Sequence, residues 1–410
     1  MLSLGSNISS TQAVESKYSA SFDGTDDFIN FSNVHNLGTG DFSFSFWVKA
    51  SDTTTNFLFS KREDNDNRWY IRTEGNDAIQ FFVKKSASSI MSATSSLSGT
   101  ISANVWNHVV ITCDRSDGST GLKFYINGSL ENSAAASTTD VDNTGDFHIG
   151  RFNTDYAKNG TFLEEIGIFN VALDADAVTA IYNGGSPLNL KFDQGNYDNS
   201  SALQAYYKMG NGLFDDKANG IVHDQDNPGF GNNLVVNADF SANQAESQTY
   251  LNGGLQFDNW VEQQSSGLRK FELTSDGQGI RCTIETANDL TWNQRIYQDV
   301  SSVLTVGDVY EFSVDVLCSL ARNFEACIET VGGANDQFSP DDVALSANTR
   351  TVIKKVFRCT TTTGMVFHLY PLGDPLPAGE FYEVRNPSLK KLNGKPGLTS
   401  GGVTFSSDTP

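Results

Sequence analysis

The chain has 410 residues, enough for two or three domains with separate cores, and its apolar share of 38% excludes a chain disordered throughout. Its 49 acidic against 28 basic residues give a formal net charge of -21, which excludes nucleic acid and anionic membrane surfaces as partners. No stretch reaches the roughly 18 apolar residues of a membrane helix, so no membrane insertion is expected, and residues 1–20 lack the basic and apolar segments of a standard secretion signal.

Residues 1–16 read as an N-terminal arm, with 1–15 a candidate docking peptide. From residue 17 to 185 short apolar-polar alternations follow one another, at 22–31, 42–49, 56–60, 68–73, 78–83, 106–114, 122–126, 147–151 and 165–169. Phe, Trp and Val at every second position between Gly, Asn and Asp turns predict strands with one buried face. A single helix is predicted over 174–182, capped by Asp174 and stopped by Gly184 and Gly185. Residues 186–232 lose the alternation but keep Leu203, Tyr206, Tyr207, Phe214 and Phe230 as apolar anchors, so they read as an ordered connector. Alternation returns over 233–392, and the Gly-, Ser- and Thr-rich tail 393–410 reads as a surface arm. The predicted fold class is all-β, two antiparallel β-sandwich (jelly-roll) domains joined by an ordered connector.

The search for reactive chemistry points away from an enzyme. Cys113, Cys282, Cys318, Cys327 and Cys359 are odd in number and widely spaced, a pattern that fits reduced, buried thiols better than a disulfide framework or a zinc site. His35, His108, His148, His223 and His368 lie far apart, and no zinc-protease, nucleophile-elbow or phosphate-loop motif accompanies them. Glu164 and Glu165 are adjacent, and neighbouring strand residues face opposite ways, so they do not form the opposed carboxylates of a glycosidase. Asp23, Asp26 and Asp27 either shape a turn through side-chain to backbone bonds or ligate a cation.

Several runs in the first unit resemble the concanavalin A-like, laminin G-like jelly rolls: Phe22-Asp23-Gly24-Thr25-Asp26-Asp27-Phe28-Ile29, Phe44-Ser45-Phe46-Trp47-Val48-Lys49, Trp106-Asn107-His108-Val109-Val110, Lys123-Phe124-Tyr125-Ile126-Asn127-Gly128 and Leu163-Glu164-Glu165-Ile166-Gly167. That resemblance implies calcium as the candidate cofactor, with Asp23 in the turn and Glu164 on the closing strand as metal ligands. The second unit resembles the carbohydrate-binding modules of xylanases and glucanases through Asn233-Leu234-Val235-Val236-Asn237, Phe257-Asp258-Asn259-Trp260, Ile296-Tyr297-Gln298-Asp299-Val300 and Phe381-Tyr382-Glu383-Val384-Arg385. It implies a glycan site of stacking aromatics and amides. Trp292, Gln294 and Gln298 share one strand face by spacing, with Trp260 and Tyr370 behind them. Arg385 stands where those modules carry an acidic calcium ligand, a departure that tells against a metal in this domain.

The connector run Leu203-Gln204-Ala205-Tyr206-Tyr207-Lys208-Met209-Gly210-Asn211-Gly212 resembles a segment of tailed-phage virion proteins. The resulting expectation is a non-enzymatic virion protein of a bacteriophage, a head decoration protein, tail fibre or other appendage. Its expected partners are other virion proteins of capsid or tail and host cell-surface glycans in host attachment, as a homo-oligomer with a trimer favoured. The alternative is an extracellular bacterial polysaccharide-binding or adhesin protein.

Overall fold

In the strand Phe42–Ala50 the residues Phe42, Phe44, Phe46 and Val48 enter one core while Ser43, Ser45 and Trp47 face the other way, and this division by two organises the first unit. The computed structural model describes residues 16–410 apart from 53, 96–99, 246–250, 263–266, 288–294, 331–336, 338–341 and 374–375, so the docking peptide expected at 1–15 lies outside the described residues. The chain divides into two units, one running to Gly229 and resumed by Asn393–Pro410, the other Phe230–Leu392.

The first unit is a sandwich of two antiparallel sheets. One runs Ser129–Ala134, Leu122–Ile126, Asn107–Cys113, Phe42–Ala50, Thr161–Phe169, Ser19–Phe22, Thr404–Ser406. The other runs Ile221–Val222, Gly397–Ser400, Phe28–Asn30, Asp146–Ile149, Asn56–Arg62, Arg68–Glu74, Ala78–Lys85, Ser88–Thr94. Phe22, Phe31, Phe44, Phe46, Phe59, Trp69, Phe81, Phe124 and Phe147 fill the space between them, each ring contributing about 1.5–3 kcal/mol of burial.

The tail corrects the expectation of a surface arm. Phe28 pairs with Ser400 and Ala20 with Phe405, so residues 393–410 supply a strand to each sheet. Two short, Gly-flanked strands carry too little alternation to be seen, yet they cover sheet edges whose backbone groups would otherwise need water. Asp408 anchors the end, accepting from Trp106 Nε1 at 2.9 Å and from Lys49 Nζ at 2.5 Å.

The outer face of the first sheet is covered as well. Helix Ala175–Tyr182 begins with Asp174 Oδ1 accepting from Ala177 N at 2.8 Å and ends at Asn183 and Gly184 in left-handed conformation. Its Ala177, Val178 and Ile181 join Val110, Tyr125, Phe169, Tyr197, Leu203 and Tyr206 in a second apolar cluster. The connector is therefore ordered because it is part of this layer, with Leu203–Tyr207 paired onto Thr161–Phe169; of its expected anchors, Phe214 is 47% exposed.

The second unit is a separate sandwich. One sheet runs Arg269–Leu273, Gly279–Ile284, Phe381–Leu392, Val309–Cys318, Thr351–Arg358, with Phe230–Asn233 also on Phe381–Leu392. The other runs Val261–Glu262, Ile296–Asp299, Met365–Pro371, Arg322–Thr330, Asp342–Leu345. Phe312, Val314 and Val316 meet Phe324, Ile328, Phe367 and Leu369 in its core. Arg385, on the longest strand, binds Asp276 at 2.6 Å beside Glu383, which also holds Arg281 and Arg350. All five cysteines are buried free thiols.

Candidate functional site

A cavity of about 460 Å³ opens on the first unit, within the size range of small-ligand sites. Its floor is Leu37, Phe42, Ile168 and Phe169, and its polar lining is Asn36, Asp41, Asn170, Gln204 and Lys395. The floor comes from the two paired strands Phe42–Ala50 and Thr161–Phe169, where the alternation brings apolar side chains to one end of the sheet. Asn36 and Asn170 are exposed, and their amide groups have no side-chain hydrogen bond among the described residues. Asp41 uses Oδ1 to accept from Arg115 N at 2.7 Å.

The wall is held by the tail. Tyr207 Oη donates to Lys395 O at 2.9 Å and therefore accepts from His35 Nε2 at 2.8 Å, which sets the proton on that nitrogen. Burial, reinforced by Lys395 and Lys61, holds His35 well below the ordinary histidine range, so it is neutral. Lys395 Nζ donates to Gln204 O at 2.7 Å. Amides and a carboxylate around an apolar floor can read hydroxyl groups while excluding water from the faces of a small polar ligand.

The metal ligands expected at Asp23 and Glu164 do not meet. Phe22 pairs with Thr161, so Glu164 lies more than about 10 Å further along the strand from Asp23. Asp23 instead clusters with Asp26 and Asp27, their ligand oxygens all within 4.8 Å of one another. Asp27 Oδ2 accepts from Asp23 N at 2.8 Å, while its Oδ1 is buried without a hydrogen-bond partner among the described residues. A Cβ on Gly401, whose φ is +82°, would stand 2.3 Å from Asp26 O, so only glycine lets the tail close over this turn.

Glu164 belongs to a different arrangement. The ladder shifts register between Glu164 and Gly167, Glu165 takes φ +48°, and both side chains are buried. Asn211 Nδ2 donates to Glu164 Oε1 at 2.9 Å, and Tyr206 Oη donates to Glu165 Oε2, with Lys208 Nζ 3.7 Å from Oε1. Burial pushes both carboxyls above their ordinary range, and their mutual repulsion adds to the rise at Glu164.

Of the expected sugar-binding residues, Trp292 and Gln294 lie outside the described residues. Trp260 is a core residue, 4% exposed, packed on Phe240 and Phe367 with Nε1 donating to Asn237 O at 3.2 Å. Gln298 is buried with its amide engaged by the backbone, accepting from Val236 N and donating to Val236 O, both at 2.8 Å. The face shared by even positions of this strand is the core face, because Ile296 lies on it. Tyr370 occupies the opposite face of the sheet, where its hydroxyl donates to Glu325 Oε2 at 2.6 Å.

A model of the concanavalin A-like lectin/glucanases superfamily, Laminin_G_3, matches residues 23–179. No curated protein matches the chain. Among solved structures, a heptameric SAP-like pentraxin of Limulus polyphemus is 18% identical over 42% of this chain and 84% of its own, with TM-score 0.33. Domain 4 of an extracellular arabinanase of Geobacillus stearothermophilus, in complex with arabinotriose, is 22% identical over 40% of this chain and 76% of its own, TM-score 0.31. A putative carbohydrate binding protein of Bacteroides ovatus is 15% identical over 52% of this chain and 56% of its own, TM-score 0.37.

Proposed function

We propose that this chain is a non-enzymatic recognition protein that holds a glycan in the cavity of its first unit and does so as a structural or appendage component of a tailed-phage virion. The cavity carries the reading: the amides of Asn36 and Asn170, which make no side-chain hydrogen bond among the described residues, line it with apolar side chains and with the Asp41 carboxylate, whose Oδ1 is held by Arg115 N. A glycan array probed with the full chain tests it. Binding that falls by about tenfold or more in Asn36→Ala and Asn170→Ala supports the assignment. Binding untouched by both substitutions, or release of shortened sugars from the array, overturns it.

Calcium belongs to this reading at the Asp23, Asp26 and Asp27 turn, where the buried, unpartnered Asp27 Oδ1 suits a hard cation that takes oxygen ligands. The virion role rests on the resemblance of the 203–212 run, and its test is immuno-labelling of purified particles. Label on capsid or tail, with a trimeric mass in solution, supports an appendage that meets other virion proteins and host glycans. Absence of label from particles combined with intact glycan binding points to the extracellular polysaccharide-binding alternative.

A further inference from the structure

The strand Arg322–Thr330 places Phe324, Ala326 and Ile328 in the second unit's core, so Glu325, Cys327 and Glu329 share the opposite face. Met365–Pro371 does the same, with Phe367 and Leu369 inward and His368 and Tyr370 outward. The antiparallel register sets Cys327 opposite His368 and Glu325 opposite Tyr370. Chemistry-bearing residues thus meet on one patch of sheet, although Cys327 and His368 are fully buried.

Four donors converge there. Ligand atoms of Glu325, Cys327, Glu329 and His368 all lie within 4.8 Å of one another. His368 Nδ1 bonds Glu329 Oε1, Cys327 Sγ donates to Glu325 Oε1 at 3.6 Å, and Tyr370 Oη fixes the other oxygen of Glu325. His368 Nε2 is buried with no hydrogen-bond partner among the described residues, an uncompensated polar atom of the kind a fold does not ordinarily retain. Two carboxylates beside a buried thiol are a concentration of negative charge that one cation would offset.

We propose that Glu325, Cys327, Glu329 and His368 form a closed zinc site that ties Arg322–Thr330 to Met365–Pro371. Nitrogen, sulfur and oxygen donors in this proportion select zinc over calcium or magnesium, which take oxygen alone. Donors in a tetrahedral zinc shell sit roughly 3.3–3.8 Å apart, so the hydrogen-bonded Glu329–His368 pair must open while any wider pairs close, both by side-chain adjustment within the cluster. Tyr370 then acts from behind, orienting Glu325 as outer-shell groups orient metal ligands.

The full-length protein, stripped with a chelator and dialysed against zinc, is expected to retain one zinc per chain by elemental analysis. Replacing zinc by cobalt should give a thiolate-to-cobalt charge-transfer band. Outer-shell partners alone are worth about 10–100-fold in metal affinity, so Cys327→Ser and His368→Gln should each weaken zinc binding by at least about 100-fold and abolish or alter that band. Glu325→Gln, at a partly exposed position, provides a variant whose folding is the least at risk. Folded wild-type protein that takes up no zinc, a cobalt complex without the thiolate band, or equal zinc retention in the folded variants would each overturn the site.

Discussion

On the first sandwich, the sheet face turned from the core carries Val110, Tyr125 and Phe169 and is roofed by the helix Ala175–Tyr182 and the connector. On the second, the five-stranded sheet turns Glu325, Cys327, Glu329, His368 and Tyr370 outward from its core. The same period-two rule produces both faces, and what differs is the chemistry placed on the second parity. An apolar outer face adds a layer that stabilises the fold, whereas one carrying thiol, imidazole and carboxylate groups is costly unless each group is compensated. In the first unit the groups free for recognition sit at the sheet's end, in the cavity, and not on its face.

Removing residues 393–410 tests how far the first sandwich depends on its returning tail. The truncation strips a strand from each sheet and should destabilise that unit by at least about 3 kcal/mol, leaving a separate calorimetric transition for the second. A single unshifted transition would refute the assignment of the tail to the first core.

Trp260→Ala sharpens the contrast on the other side. As a core ring it should cost about 3–5 kcal/mol in denaturant unfolding while glycan binding by the folded protein stays unchanged. A stable variant that lost sugar binding would restore Trp260 to a recognition surface.

The buried glutamates predict a pH dependence confined to the first unit. Because the folded state holds Glu164 and Glu165 above the ordinary value of 4.5, it binds protons the unfolded chain has released, so stability falls as pH rises from about 4.5 through the raised values. Glu164→Gln should be nearly neutral at pH 4 and stabilising by about 1–2 kcal/mol at pH 8. Thermal unfolding across that range checks the sign, and a variant less stable than wild type at pH 8 contradicts it.

The smallest effect expected is at the roof. Asp174→Ala removes the helix cap and should cost about 1 kcal/mol, measured by urea unfolding, without altering the cavity's affinity.

Much of this architecture is legible in the residues. Phe42, Phe44, Phe46 and Val48 announce a strand and its core face, though not that the layer of helix and connector buries the other face too, and Asp174 with Gly184 brackets the helix, because these signals are local. The cavity is not legible: Asn36, Asp41, Asn170, Gln204 and Lys395 are scattered across the chain, and only the pairing of distant strands gathers them. Gln298, expected in the sugar site, lies on the core side because spacing shows which residues share a face, not which face is buried. Ile296 carried the missing signal, being the apolar member of that parity. The alternation in Phe324-Glu325-Ala326-Cys327-Ile328-Glu329 similarly marked a polar face, but nothing local said that His368 would lie opposite Cys327.

By itself, then, the order of amino acids determined an all-β chain of two sandwiches, one capped helix and unpaired thiols, since alternation, turn residues and caps act over a few neighbouring positions. Tertiary structure alone decided that the tail returns to the first sandwich, that Asp23 joins Asp26 and Asp27 and not Glu164, and that a cysteine and a histidine 41 positions apart become neighbours. Those outcomes depend on strand register between remote segments, where the free energy comes from closing whole sheets over a core and no single run of residues encodes it.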